Sequence, residues 1–281
     1  MRRERTGHYL SAALEAAKDE RTAVQRFRRS SARSAARGNG IVLEHNSIEG
    51  LSVVVVGGES RVGRAIALTA SERGADLVVI GRSRTALATL VKEAPGQCES
   101  VWTDFSQPDW ATALASTLSP FDHLISTMSI RATGESAYVT RESLESSFET
   151  EAFGPMQLAR ATTPLVHPKG SFTFFSDQAS WTSSQGTGDA STVDAALAFL
   201  VGALAVEFSP IRINAVATDL LDADLHDRFG GKGNGVIAGD AKQCSGCNVG
   251  STQDVVDATL MFVVDGYMTG TVAHVVGETL V

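Results

Sequence analysis

The first stretch of this chain that could form a functional site is VVVVGGESRVGRAIA. It contains the glycines of a short turn, Gly57, Gly58 and Gly63. The four valines before the turn are typical of a strand buried on both faces, and the apolar residues after it recur at helical spacing. Backbone N–H groups in such a turn, next to a helix N-terminus, can hold a pyrophosphate. A tight turn without any ligand needs the same glycines, so both interpretations stay open.

A pair of cysteines, Cys244 and Cys247, has the spacing of a redox site or of half a zinc site. No second pair stands at zinc-ligand spacing, so two reduced thiols in a turn are the favoured interpretation. Cys98 is the remaining cysteine, and a set of three argues against a disulfide framework. The histidines show no metal spacing, and only His226, inside a glycine-rich stretch, is kept as a candidate acid or base. The spacing of the cysteines and histidines therefore predicts no metal site.

The elements that must position these residues alternate between strand and helix patterns, which predicts a doubly wound parallel α/β sheet. A glycine-rich stretch at about 222–250 lacks periodicity and is interpreted as a lid inserted late in the domain. Gly154 and Pro155 are expected to bend the longest helix. Strands are predicted at 53–56, 77–80, 100–103, 121–126, 171–175, 211–216 and 271–276, and helices at 62–73, 83–92, 110–118, 144–165, 190–208 and 254–263.

Charge divides the chain into a basic N-terminal extension, residues 1–49, and an acidic body, residues 50–281. Residues 1–39 hold ten Arg and Lys against four Asp and Glu, and the whole chain carries a net charge of −8. The extension could be a nucleic-acid arm, a membrane-surface helix or a transit peptide, but a solvated helix at about 7–29 followed by a flexible linker is favoured. The acidic body makes a nucleic-acid partner unexpected.

Composition is that of an ordinary globular protein, with 281 residues of which 43% are hydrophobic and 20% charged. No apolar run is long enough to cross a bilayer, and the first residues lack a secretory apolar region. We therefore expect a cytoplasmic protein without a membrane partner.

The order of motifs from about Gly50 onward resembles the short-chain dehydrogenase/reductase family. The opening VVVVGGESRVGRAIA is similar to the family's TGxxxGxG segment. Asp104 stands where an adenine-contacting Asp follows the third strand. Further similar segments are FDHLIS, FETEAFGPMQLARATTPLV, GSFTFFSDQAS, AALAFLVGALAVEFSPIRINAVAT and MTGTVAHVVGETL. The resemblance implies a Rossmann-like domain and a site at the carboxyl edge of its sheet.

The family's catalytic residues are replaced in this sequence. By resemblance, Ala190 stands at the position of the active-site Tyr, Asp194 at that of the Lys, Asp177 at that of the Ser and Glu151 at that of the Asn. Alanine has no proton to transfer, and an Asp would hinder rather than help the ionisation of a neighbouring acid. The resemblance therefore implies that the family's hydride transfer does not operate here.

Glu151, Asp177 and Asp194 are the candidate catalytic residues, since the resemblance brings all three to one crevice. Converging carboxylates repel each other, which favours protonation of one and suits a general acid/base pair. They could instead hold a divalent metal or a cationic amine substrate. Each also has a structural interpretation: Asp194 as part of a capping box with Ser191, Asp177 as a loop cap, and Glu151 as a solvent-facing helix residue.

The resemblance also implies a dinucleotide site, although Arg61 replaces the middle glycine that lets backbone approach a pyrophosphate. Arg82 and Arg84 follow the second strand, where an acidic residue would otherwise bind a 2′-hydroxyl, so NADP is expected rather than NAD. Solvated surface arginines are the alternative interpretation. The candidate cofactor-binding residues are Gly57, Ser60, Arg61, Gly63, Arg82, Ser83 and Asp104.

Three functions are compatible with this sequence. The first is an enzyme of redox-neutral acid/base chemistry, such as cyclisation, dehydration or isomerisation of a small molecule, with NADP as a candidate cofactor. The second is a non-catalytic relative that binds a ligand or pairs with an active homologue. The third is an atypical NADP-dependent oxidoreductase. By resemblance the chain is expected to form a homo-oligomer, or a hetero-oligomer with a homologue, through the helices at 144–165 and 190–208.

Overall fold

The computed structural model describes residues 47–128, 140–177, 188–218 and 250–276, with the backbone alone described at 177 and at 188–190. Most of the basic extension, the proposed lid with Cys244 and Cys247, and His226 lie outside the described residues. Ile48, near the start of the described chain, is buried in the core.

The centre of the fold is a parallel sheet of seven strands in the order β3-β2-β1-β4-β5-β6-β7. The order reverses between β1 and β4, which makes the carboxyl ends of these strands the crevice where open α/β sheets bind ligands. The prediction of a doubly wound parallel sheet is confirmed. The strands are β1 (Ser52–Val56), β2 (Asp76–Gly81), β3 (Cys98–Trp102), β4 (Phe121–Ser126), β5 (Val166–Asp177), β6 (Arg212–Thr218) and β7 (Val272–Val275).

The helices agree with the predicted ones to within a few residues, except that the long helix at 144–165 is divided. Its parts are α4 (Arg141–Phe148), a π-turn (Glu149–Phe153), α5 (Gly154–Thr162) and a short 3-10 turn (Thr163–Leu165). The other helices are α1 (Arg61–Glu72), α2 (Arg84–Glu93), α3 (Trp110–Ala115), α6 (Gly188–Glu207) and α7 (Thr252–Val264).

The π-turn before Gly154 explains how the long helix is interrupted. The Gly154 N–H donates to the carbonyl of Glu149, five residues back instead of four. Pro155 has no N–H to donate to the carbonyl of Glu151, and its ring would collide with that carbonyl in a regular α-helix. The predicted bend at Gly154 and Pro155 therefore takes the form of one wider turn.

The core begins with β1, whose Val53 to Val56 are each at most 1% exposed. Strands covered by helices on both faces need apolar residues at every position, which is why four valines in a row predict this strand. No helix of the described residues is long and apolar enough to span a membrane.

A polar cluster is buried near the amino ends of β4, β5 and β6. The ring Nδ1 of His123 lies 2.8 Å from Ser171 Oγ, and both residues are buried. The Arg212 guanidinium, also buried, donates from Nη1 to the Phe262 carbonyl at 2.7 Å and from Nη2 to the Val263 carbonyl at 3.4 Å. Arg212 thereby satisfies carbonyls at the C-terminal end of α7, where a helix lacks its own donors. Burial, the Arg212 charge and His167 lower the pKa of His123 to about 4, and Asp122 opposes the shift.

Candidate functional site

The glycine turn after β1 is held closed by a hydroxyl from the end of β4. Gly57 has φ +84°, which favours glycine, and a Cβ there would lie 2.5 Å from Thr127 Oγ1. Thr127 Oγ1 in turn lies 3.1 Å from Ser60 Oγ. A Cβ on Gly63 would collide with the Gly57 carbonyl. Both glycines are thus required by packing, whether or not a ligand binds.

The backbone donors of the turn are largely used within the chain. The N–H groups of Gly57 and Gly58 both donate to the Ile80 carbonyl, at 2.8 and 3.0 Å, and the Ser60 N–H donates to the Gly57 carbonyl at 2.9 Å. Ser60 is the N-cap of α1, and its Oγ accepts from the Gly63 N–H at 3.0 Å. The turn is therefore braced by the protein itself and points the N-terminus of α1 at the crevice.

Arg61, the first residue of α1, has an exposed side chain. Its charge adds to the positive end of the helix dipole. The turn therefore fits a phosphate group, although contact would come from the helix terminus and Arg61 rather than from a middle glycine.

The end of β2 carries both signs of charge. The Arg82 N–H donates to Glu59 Oε1 at 2.8 Å, so a carboxylate from the glycine turn reaches across to the end of this strand. A Cβ on Gly81 would collide with the same carboxylate, which shows that the absence of a side chain at Gly81 makes room for Glu59. The Arg82 side chain is 73% exposed, and its Nε lies 3.9 Å from Glu59 Oε1.

The neighbouring strand end supplies an aromatic surface. Trp102, the last residue of β3, donates from Nε1 to the Arg82 carbonyl at 2.9 Å, and the Arg84 guanidinium lies 4.3 Å from the Trp102 ring centroid. This stack fixes Arg84 by a cation–π contact. Ser83 caps α2, its Oγ accepting from the Ala86 N–H at 3.3 Å.

Asp104 follows β3 as the resemblance implies, but its carboxylate is used locally. It accepts from the N–H and the hydroxyl of Ser106, at 3.1 and 2.7 Å, and from Gln107 Nε2 at 2.9 Å. The hydrogen bonds from these two side chains lower the pKa of Asp104. Asp104 therefore organises the loop after β3, and an adenine contact remains a prediction.

Asp194, one of the three candidate acids, is held near the end of β5 by a hydrogen bond. Ser176 Oγ, near the end of β5, donates to Asp194 Oδ1 at 2.9 Å. Asp194 is 1% exposed and lies on α6. The capping-box interpretation of Ser191 and Asp194 is wrong, because α6 begins at Gly188 and both residues lie inside it. The Asp194 carboxylate instead links α6 to the carboxyl edge of the sheet.

Glu151 is buried, at 7% exposure, which overturns the interpretation of a solvent-facing residue. It lies in the π-turn, and that turn packs against α6, the helix that carries Asp194. Asp177 is the last residue of β5, and its backbone pairs with Thr218 at the same sheet edge. The Asp177 side chain and that of Ala190 lie outside the described residues. Within the described parts of the chain, no three metal-ligating side chains come together.

The matches with known proteins agree with this architecture. Residues 56–277 match a family model described as enoyl-(acyl carrier protein) reductase. The chain belongs to the short-chain dehydrogenase/reductase (SDR) family. D-erythrulose reductase of Gallus gallus is 26% identical over 184 residues, which are 64% of this chain and 74% of that relative.

Solved SDR structures superpose over most of the chain. The MalC reductase/Diels-Alderase of Malbranchea aurantiaca has a TM-score of 0.76 and 23% identity, with 82% of this chain and 96% of that one covered. The L-sorbose reductase of Gluconobacter frateurii, solved with NADPH and L-sorbose, has a TM-score of 0.74 and 19% identity, with 83% and 98% covered. At these identities the structural likeness shows the shared fold.

Sequence reasoning missed two side chains that contact the candidate residues. Ser176 was passed over because the family alignment favours its neighbour Asp177, yet the alternation of side chains along a strand places neighbours on opposite faces. Glu59 carries no signal of its own in the sequence, because the glycines are what mark this turn. Its contact at Gly81 depends on the close approach of two loops, which no local pattern encodes.

Proposed function

We propose that this SDR protein is an enzyme of redox-neutral acid/base chemistry on a small molecule, with Asp194, Asp177 and Glu151 as its catalytic residues. The observation that carries the proposal is the hydrogen bond from Ser176 Oγ to a nearly fully buried Asp194 carboxylate at 2.9 Å. A buried carboxylate is costly unless it is hydrogen-bonded, and a serine hydroxyl that holds it can also relay a proton.

The role proposed for each acid follows from its position in the fold. Asp194 is proposed as the base, and the Ser176 hydroxyl, which donates to its Oδ1, is proposed to pass the substrate proton to it. Glu151, on the packed π-turn, and Asp177, at the strand end, are proposed to exchange the compensating proton. Two carboxyl groups in different environments can serve as acid and base at the same pH. Acid/base-catalysed cyclisation, dehydration and isomerisation use such a pair and need no hydride.

Ordinary ketone reduction is not proposed. The residue at the Tyr position, Ala190, has no dissociable proton, and the residue at the Lys position, Asp194, carries the opposite charge. A cation at that position favours ionisation of a phenol, whereas a carboxylate opposes it. An atypical NADP-dependent oxidoreductase would need a proton donor elsewhere.

The dinucleotide is proposed to be NADP, held without a required hydride transfer. The helix terminus at Ser60 and Gly63, with Arg61, would face the phosphates. Arg82 and Arg84 would face a 2′-phosphate. A bound NADP supplies a hydride donor or acceptor in reductases; here its proposed part is to complete the wall of the substrate pocket.

The MalC likeness supports a redox-neutral reaction on this fold. MalC is named as both a reductase and a Diels-Alderase. A Diels–Alder reaction forms a ring without net oxidation or reduction. Cyclisation is therefore compatible with the architecture that this chain shares.

The proposal is tested by the mass of the compound that the protein converts. Metabolite extracts of cells lacking the gene are incubated with the purified protein, with and without NADPH. We expect a compound to be converted with unchanged mass, or with the loss of one water, and with no change in NADPH absorbance. A gain or loss of two hydrogens coupled to NADP(H) turnover would contradict the proposal in favour of an atypical oxidoreductase.

A second candidate function, a non-catalytic partner subunit, is supported by an exposed apolar face. On α6, Phe199 and Val206 are each 81% exposed, and on the adjoining π-turn and α5, Phe153 and Met156 are exposed as well. Large exposed apolar side chains on neighbouring helices mark an association surface. We propose that this face binds a second copy or a homologue.

A charge on this face is expected to disrupt assembly. Val206→Glu should convert a dimer or larger species into a monomer in light scattering, because an unpaired carboxylate would have to be buried in the interface. Ala88→Glu, at an exposed position of α2, is the matched control and should leave the mass unchanged. A monomeric wild-type protein would contradict the proposed homo-oligomer. A cellular phenotype lost with Val206→Glu but kept with Asp194→Asn would favour the partner subunit over the enzyme.

A further inference from the structure

The carboxylate of Glu59 lies at the end of β2. In a dinucleotide site this strand end is where a ribose 2′-hydroxyl is distinguished from a 2′-phosphate. Glu59 Oε1 accepts from the Arg82 N–H at 2.8 Å, and the side chain is only 19% exposed. Its Oε2 is buried and has no hydrogen-bond partner among the described residues. A carboxylate oxygen can accept more than one hydrogen bond, so the exposed part of this carboxylate keeps acceptor capacity for a further donor.

Glu59 reaches the end of β2 from another segment, the glycine turn after β1. Gly81 ends β2 without a side chain, and Glu59 fills the resulting space from the glycine turn. An acid at the end of β2 hydrogen-bonds a 2′-hydroxyl in dinucleotide folds. Here the acid comes from a different segment but reaches the same strand end.

We infer that Glu59 sets the selectivity of the site between a 2′-hydroxyl and a 2′-phosphate, and that it opposes the arginines. The inference rests on the proposed dinucleotide site. A 2′-hydroxyl can donate to Glu59, whereas a 2′-phosphate donates nothing and is repelled by the carboxylate. Arg82 attracts the phosphate, but its Nε already lies 3.9 Å from Glu59, so the phosphate competes with an existing charge partner.

The two arginines therefore differ in how Glu59 affects their binding of a 2′-phosphate. The Arg84 guanidinium is held 4.3 Å from the centroid of the Trp102 ring, whereas Arg82 is the arginine whose Nε lies 3.9 Å from Glu59 Oε1. Removing the acid frees Arg82 for a 2′-phosphate and removes the acceptor for a 2′-hydroxyl. Both changes favour a dinucleotide with a 2′-phosphate over one with a 2′-hydroxyl.

The test is the binding of NADPH and NADH to the full chain carrying Glu59→Gln, measured by calorimetry. Glutamine keeps an oxygen for the Arg82 N–H and removes only the charge. We expect the ratio of the NADH to the NADPH dissociation constant to rise about tenfold, the size of a charge interaction at a partly exposed site. Glu93→Gln, which removes an exposed carboxylate paired with Arg64 at the other side of α1, is the matched control and should leave the ratio unchanged.

Glu59→Ser provides a second variant if the glutamine protein folds poorly, and its ratio should rise as well. Binding of both dinucleotides with a ratio unmoved in the folded variants would overturn the inference and leave the dinucleotide site standing. Binding of neither dinucleotide by the wild-type protein would overturn the inference together with the cofactor part of the proposed function.

Discussion

Asp194→Asn is expected to lower the turnover of the substrate by about 10²- to 10⁴-fold, the usual contribution of a positioned general acid or base. Asparagine has the shape of aspartate and can still accept the Ser176 hydroxyl bond, so the thermal midpoint should change little. What the variant loses is the capacity to take up a proton. The measurement is kcat on the compound that the metabolite incubation identifies, with KM determined in parallel.

Asp76→Asn is the matched control, because Asp76 is an exposed carboxylate at the start of β2. Its kcat should equal that of the wild type. If Asp194→Asn folds normally and retains wild-type kcat, Asp194 is not the base. The hydrogen bond between Ser176 and Asp194 then has only a structural role, joining β5 to α6.

Acidification is expected to destabilise the protein through His123. The pKa of His123 is lowered to about 4, chiefly by burial and then by the Arg212 charge. An unfolded histidine has a pKa of about 6.5, so between these values the unfolded chain binds the additional proton. Stability is therefore full at neutral pH and falls as pH decreases. The free energy of unfolding should drop by about 2 kcal/mol between about pH 7.5 and pH 5, and by about 3 kcal/mol in all.

The measurement is urea unfolding at these two pH values. His123→Asn removes the titrating group, so most of the pH dependence should disappear even though the variant is less stable at neutral pH. His167→Gln, which replaces a nearby exposed histidine, should retain most of it. An equal pH dependence in wild type and His123→Asn would show that other groups cause the loss.

The fold was predictable because its signals are local and repeated. Val53 to Val56 need no partner to be recognised as a doubly covered strand, and FDHLIS predicted β4 to the residue. The glycines were identified for the same reason, since positive φ at Gly57 and the close approach at Gly63 are properties of the turn itself.

The candidate site was less predictable because its contacts join segments that are distant in sequence. Resemblance placed Asp194 near the end of β5, but the choice of Ser176 as its partner depends on which face of the strand meets α6. Glu59 reaches β2 only because Gly81 leaves space. Glu151 is buried by a helix irregularity that its own side chain does not signal.

The π-turn has a consequence for how this site could change over generations. A π-turn contains one residue more than the α-helical turn that would replace it, and each residue turns a helix by about 100°. Loss of a single codon between Glu149 and Phe153 would rotate Glu151 and its neighbours relative to α5 while every strand of the sheet stayed in place. The carboxylate is therefore positioned by helical phase. One deletion could therefore change which side chain occupies the buried position of Glu151, which substitutions could reach only one residue at a time.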